Sequence, residues 1–148
     1  MRTYHLYLIQ DDIAKAYFGR EFMLFDLFSR FSSSRSLSEK KMLYKQIQFV
    51  TKPLKMLKLH HRVEQTLLSY PYYRKDGDIH ILQEPNRPEL GTLTIHRQYV
   101  KIESNGSFEA ETTFFEILRK NELTFLAMNY EENRYGWLNP IKQERKYV

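Results

Sequence analysis

Residues Tyr4 to Ile9 put Tyr4, Leu6 and Leu8 on one face and His5, Tyr7 and Ile9 on the other, and this aromatic and branched run predicts a strand. Asp11 and Asp12 follow, placing carboxylates where the positive end of a helix dipole favours them. The apolar spacing after them predicts a helix from Asp12 to Arg30. At about 100° per residue, Ala14, Phe18, Phe25 and Phe28 share a core stripe, with Phe22 on its shoulder. Ile13, Tyr17, Leu24 and Phe31 form an adjacent apolar side, so the apolar arc is wider than a core-facing helix needs. Two uses of the excess stay open: a second helix packs there, as expected for Leu24 and Phe31, or Ile13 and Tyr17 remain available to a partner.

Ser32 to Ser34 break the pattern, and Ser36-Leu37-Ser38-Glu39 reads as a capping box opening a second helix. Leu43, Ile47, Val50, Leu54 and Leu57 keep helical spacing along it, with Gln46 and Phe49 on a neighbouring side. Pro53 lacks an N–H and crowds the preceding turn, so it kinks this helix or opens a new one. Helix is expected to run on to Ser69, where Tyr70-Pro71 ends it.

The second half of the chain changes character. Asp78–Gln83, Thr92–Arg97 and Tyr99–Ser104 have strand composition, and Asp76-Gly77 and Asn105-Gly106 are turn signals. Glu109 to Lys120 reads as a helix with acids at its start and Arg119-Lys120 at its end, and Leu123 to Met128 as a further strand. The order β-α-α-β-β-β-α-β predicts an α/β fold: a single-domain two-layer sandwich with helices packed on one mostly antiparallel sheet. No repeat or linker divides residues 1–148.

Composition narrows the classes of function. The chain has 148 residues, 42% hydrophobic and 28% charged, enough for one core without staples. It contains no cysteine, which excludes thiol nucleophiles, cysteine-bound zinc and iron–sulfur chemistry. No apolar run approaches membrane-spanning length, and Met1 to Leu6 has no export-signal pattern, so a cytoplasmic location is expected. A formal charge of +5 invites a nucleic-acid reading, and the surplus lies in residues 35–75, with ten basic groups against two acidic ones. The alternative of a basic nucleic-acid-binding module would use this stretch, from Arg35 and Lys40 to Arg74 and Lys75. No helix-turn-helix, RNP, GxxG or zinc-finger pattern accompanies it. A solvated helix face is the simpler reading, and such charge also speeds encounter with an acidic partner.

Catalytic patterns are missing as well. His60 and His61 are adjacent on a helix and cannot face one ligand together. Asp76, Asp78 and His80 fall around a turn, where carboxylates are normally solvated. Glu103, Glu109, Glu111 and Glu116 have no spacing that brings two around a substrate, and there is no HExxH, GxSxG, P-loop or GxGxxG. No enzyme activity, metal or cofactor is expected. With 11 Tyr, 10 Phe and 1 Trp, some rings should reach the surface, where aromatic anchors favour protein interfaces.

Several strings carry a more specific signal: Tyr17-Phe18-Gly19-Arg20-Glu21, Gln46-Ile47-Gln48-Phe49, Phe108-Glu109-Ala110-Glu111-Thr112, Phe125-Leu126-Ala127-Met128 and Arg134-Tyr135-Gly136-Trp137-Leu138-Asn139-Pro140. In order and spacing they resemble the SirA family, the sporulation inhibitors of replication of Bacillus-type spore formers, from end to end of the chain. The resemblance implies an α/β sandwich and a non-enzymatic inhibitor that binds the N-terminal domain of the replication initiator DnaA. It places the partner contacts on the first helix and the start of the second, which by matching strings are Ile13, Tyr17, Gln46 and Phe49. Ile13 stands where the family pattern has phenylalanine, and Phe49 where it has tyrosine. The resemblance also implies a monomer that binds no nucleic acid directly. Tyr135 to Pro140 is read as a C-terminal turn packing Trp137 and Leu138 on the sheet, Phe114, Phe115 and Leu118 as core, and Glu109 and Glu111 as helix-start charges.

Overall fold

Residues 4–9 form most of β1 (Arg2–Leu8) and the isolated bridge that follows it, and both faces of the strand are buried. In the computed structural model, which describes residues 1–142, β1 is followed by α1 (Asp11–Ala16), α2 (Glu21–Ser33), α3 (Leu37–Val50) and α4 (Met56–Leu67). Next come β2 (Tyr73–Asp76), β3 (Ile79–Leu82), β4 (Gly91–Ile95), β5 (Tyr99–Ser104), α5 (Glu109–Asn121), β6 (Phe125–Asn129) and β7 (Arg134–Trp137). The strands form one sheet in the order β2-β3-β4-β5-β1-β6-β7. Every neighbouring pair is antiparallel. The fold is the α/β sandwich expected, with helices packed on a single antiparallel sheet. Among the described residues no helix is long and apolar enough to cross a membrane.

The period of two along β1 explains how the helices are distributed. Leu6 and Leu8 join Leu59, Val63, Phe114 and Leu118 in one core cluster under α4 and α5. Tyr7 and Ile9 join Ala14, Leu24, Phe28 and Ile47 in a second cluster under α1, α2 and α3. Helices therefore cover both faces around β1 and β6, one helical layer more than a two-layer sandwich has. Burial of a large apolar side chain contributes about 2 kcal/mol, so a central strand with both faces filled is strongly held.

The helix expected from Asp12 to Arg30 is two helices. Gly19 takes the left-handed conformation at φ +81°, open to glycine at little cost, and the Tyr17 carbonyl accepts the Arg20 N–H at 2.7 Å to close a turn. The break resets the helical phase. Ala14 and Phe28 remain in the core, Leu24 joins them, and Phe25 is half-buried. Phe18 and Phe22, expected inside, are 54% and 57% exposed.

A second break follows α3. The Ser36 hydroxyl accepts the Glu39 N–H at 3.4 Å, one half of the expected capping box, while the Glu39 carboxylate lies near Arg30 instead. The helix stops at Val50, ahead of Pro53, and a new one opens after it, one of the two outcomes expected of that proline. Thr51 instead bridges to Ile9 and Lys52 N–H donates to the Leu8 carbonyl at 2.7 Å. The new phase of α4 buries Leu59, Val63 and Leu67 and leaves Leu57, expected in the stripe, 88% exposed. Two short strands extend the predicted sheet at its edges: β2, hairpinned to β3 through Gly77, and β7, which takes up Tyr135 to Trp137. Trp137 and Leu138 are half-buried against the two core clusters.

Candidate docking site

α1 owes its place to three contacts with the last residue of α3 and the chain just after it. Gln10 N–H donates to the Val50 carbonyl at 2.8 Å, the Gln10 amide donates to the Thr51 carbonyl at 3.1 Å, and Lys52 pairs with Asp11 at 2.9 Å. These bring the start of α1 to the end of α3, and α2 packs alongside α3 through Phe31 and Tyr44, whose rings stack with centroids 5.9 Å apart. Leu24 and Phe31 thus meet a second helix layer, as the apolar arc of the sequence anticipated.

Ile13 and Tyr17 are half-buried, resting on the α1–α3 core cluster with their outer sides open. Gln46 and Phe49 lie one turn apart on α3 and are exposed, Phe49 to 74%. All four line one open groove of about 480 Å³. Met23, Leu24 and Leu27 of α2 and Val50 of α3 also line it, and Asp26, Arg30 and Lys45 supply its charges. Arg30 lies 3.9 Å from both Asp26 and Glu39, exposed pairs that hold side chains loosely. The groove therefore offers apolar surface with an exposed amide among it, a chemistry suited to receiving apolar side chains from another protein. Met23 and Leu27 were missed in the sequence because a continuous helix from Asp12 gives α2 the wrong phase. The signal that would have found them is Gly19 in Tyr17-Phe18-Gly19-Arg20-Glu21.

The other candidates lie elsewhere. His80 is buried beneath α4, its ring nitrogens 2.8 Å from His60 Nδ1 and from the Tyr73 hydroxyl, while Asp76 and Asp78 flank the β2–β3 turn. Burial pushes the His60 and Tyr73 groups toward their neutral forms. Among the described residues no group of three or more His, Cys, Asp or Glu side chains could hold a metal ion. Glu111 is more than a helix-start charge: it is buried, with Arg2 Nε at 2.8 Å and the Ser104 hydroxyl at 2.9 Å on the same oxygen. The basic residues of 35–75 do not share one helix face. α3 packs in one core cluster and α4 in the other, on opposite sides of the sheet, and Lys52 and Lys75 are paired with Asp11 and Glu64.

Comparison with known proteins bears on the whole chain. A family model described as "Sporulation inhibitor of replication protein SirA" matches residues 2–142. The protein named Sporulation inhibitor of replication protein SirA from Bacillus subtilis (strain 168) is 39% identical over 148 residues, covering 99% of each chain.

Proposed function

This chain belongs to the SirA family of sporulation inhibitors of replication, and from that membership we propose that it restrains replication initiation in sporulating cells by docking the N-terminal domain of DnaA in the α1–α3 groove. The observation that carries this reading is that Ile13, Tyr17, Gln46 and Phe49, from two distant stretches of sequence, line a single groove.

The mechanism is burial of an interface, without catalysis. Ile13, Tyr17 and Phe49 are the apolar anchors, and a few such side chains carry most of the energy of a protein interface. Gln46 sets orientation, since its amide both donates and accepts. Lys45 and Arg30 on the rim act on the rate and register of encounter more than on affinity. Docked in this way, the protein covers a surface of DnaA that productive action at the origin requires. It acts in the cytoplasm as a monomer until the complex forms.

Isothermal titration of the protein into the isolated DnaA N-terminal domain from the same cell tests this. Tyr17→Ala is expected to weaken binding by about 2 kcal/mol or more while keeping the fold, because the side chain is only half-buried. Unchanged affinity in that variant would exclude the groove as the docking surface.

A further inference from the structure

Tyr17 stands at the end of α1, and the turn that succeeds it has little packing to hold it. The Tyr17 N–H donates to the Ile13 carbonyl at 3.0 Å, and the Tyr17 carbonyl accepts the Arg20 N–H at 2.7 Å. The Arg20 guanidinium donates to the Ala16 carbonyl at 2.6 Å and lies 5.4 Å from the centre of the Tyr17 ring. Phe18 and Arg20 are exposed, and a Cβ added at Gly19 would meet nothing within 4 Å. The conformation of this turn therefore depends on hydrogen bonds.

One carboxylate oxygen supplies the link from this turn to the rest of the molecule. Glu21 Oε1 accepts the Gly19 N–H at 3.0 Å and the indole Nε1–H of Trp137 at 3.3 Å. Trp137 belongs to the edge strand β7 and is half-buried in the α1–α3 core cluster. Beside it on the same strand, Tyr135 stacks on Phe25 of α2 with centroids 4.8 Å apart. Burial disfavours the ionised Glu21 carboxyl, but hydrogen bonds from Gly19, from its own backbone and from Trp137 outweigh it. The group consequently titrates below the usual carboxylate range and is an acceptor at neutral pH. Hydrogen bonds to an ionised acceptor are stronger than neutral ones.

We infer that Glu21 is a positioning residue of the groove: by accepting from both Gly19 and Trp137, its carboxylate fixes the Tyr17–Arg20 turn to the sheet edge and so sets the angle at which Tyr17 enters the groove. The inference rests on the docking reading and deepens it. It joins two of the sequence strings, Tyr17 to Glu21 and Tyr135 to Trp137, that the groove itself does not join. The gain is preorganisation, because a side chain already held in its docking orientation loses less freedom on binding.

The test compares Glu21→Ala, Glu21→Gln and Tyr17→Ala in titrations against the DnaA N-terminal domain, with thermal unfolding of each variant measured alongside. Glu21→Ala is expected to weaken binding about tenfold with little change in unfolding temperature. Glu21→Gln, whose amide oxygen still accepts both bonds, should bind within about twofold of the parent. The chain has one tryptophan, so its emission in the free protein should change more in Glu21→Ala than in Glu21→Gln. Parent-like affinity in Glu21→Ala together with loss in Tyr17→Ala overturns the positioning role and leaves the docking reading intact. Parent-like affinity in both overturns the docking reading and this inference with it. If Glu21→Ala does not fold, Trp137→Phe decides, since it removes the indole donor while keeping an aromatic ring in the core cluster: several-fold weaker binding supports the role and unchanged binding overturns it.

Discussion

The rings of Tyr7 and Phe28 meet with centroids 4.3 Å apart and planes inclined by 33°. This contact joins the central strand to α2, and through it the helices lining the groove are fixed to the sheet. Tyr7 is also 5.4 Å from the ring of Tyr99 on β5, and burial pushes its hydroxyl far toward the neutral form.

Phe28→Ala should therefore act on the fold as a whole. The side chain is 1% exposed, and truncating a buried phenylalanine costs about 3–5 kcal/mol through lost transfer energy and the cavity left behind. Urea denaturation checks this, and a loss under about 1 kcal/mol would mean that α2 can repack without the ring.

Phe49→Ala should behave in the opposite way. With its ring largely in water, truncation is expected to change stability by less than about 0.5 kcal/mol, while binding to the DnaA N-terminal domain falls by about 1 kcal/mol or more. Denaturation and titration calorimetry on one preparation separate the two effects, and a variant that loses stability but not affinity contradicts the assignment.

Glu111→Ala should destabilise the fold by about 3 kcal/mol, because removing one partner of a buried ion pair leaves the other without compensation. Glu111 is 2% exposed and holds Arg2 and the Ser104 hydroxyl. Arg2 retains some exposure, 18% of its side chain, which keeps the loss below the upper end for fully buried pairs. Thermal unfolding measures it, and since this cluster is remote from the groove, the folded variant should keep its affinity.

Stability should fall on mild acidification. Burial, with His60 and Lys75 nearby and Glu64 and Asp78 opposing them, pushes the His80 imidazole down to about 4. The unfolded imidazole titrates near the ordinary 6.5, so between these values the unfolded chain binds the extra proton and acid favours unfolding. The contribution is complete above pH 6.5 and is lost at roughly 1.4 kcal/mol per pH unit below it, so that the loss reaches about 3 kcal/mol by pH 4. His5 and His60 are displaced in the same direction, also by burial. Urea midpoints from pH 7 to 4.5 should fall more steeply for the parent than for His80→Phe, and equal slopes would remove His80 as the source.

Local signals in the sequence were sufficient for several elements: alternation for the strand at residues 4–9, composition and turn residues for the strands expected at 78–83 and 99–104, end charges for the helix expected at 109–120, and the Ser36 motif for the cap, because these depend on side chains close together in the chain. It also marked Ile13 and Tyr17 as apolar positions beyond the needs of one core stripe. Gln46 and Phe49 came from the family strings, as their exposed positions on α3 leave no trace in hydrophobic spacing.

Pro53 and Gly19 marked in the sequence where the helices could break, and where each helix ends was decided in three dimensions. The turn at Gly19 is held by the Arg20 N–H on the Tyr17 carbonyl and by the Glu21 carboxylate, tied to Trp137, which takes the Gly19 N–H, and α3 ends where Ile9 and Leu8 offer Thr51 and Lys52 a strand to bond. Residue-by-residue propensity sees neither partner, since 116 residues separate Glu21 from Trp137 and 42 separate Ile9 from Thr51. The amino-acid order determined which segments were apolar on one side. Only tertiary packing, by resetting the helical phase at those two breaks, decided that Phe18 and Phe22 face water while Met23 and Leu27 line the groove beside Tyr17 and Phe49.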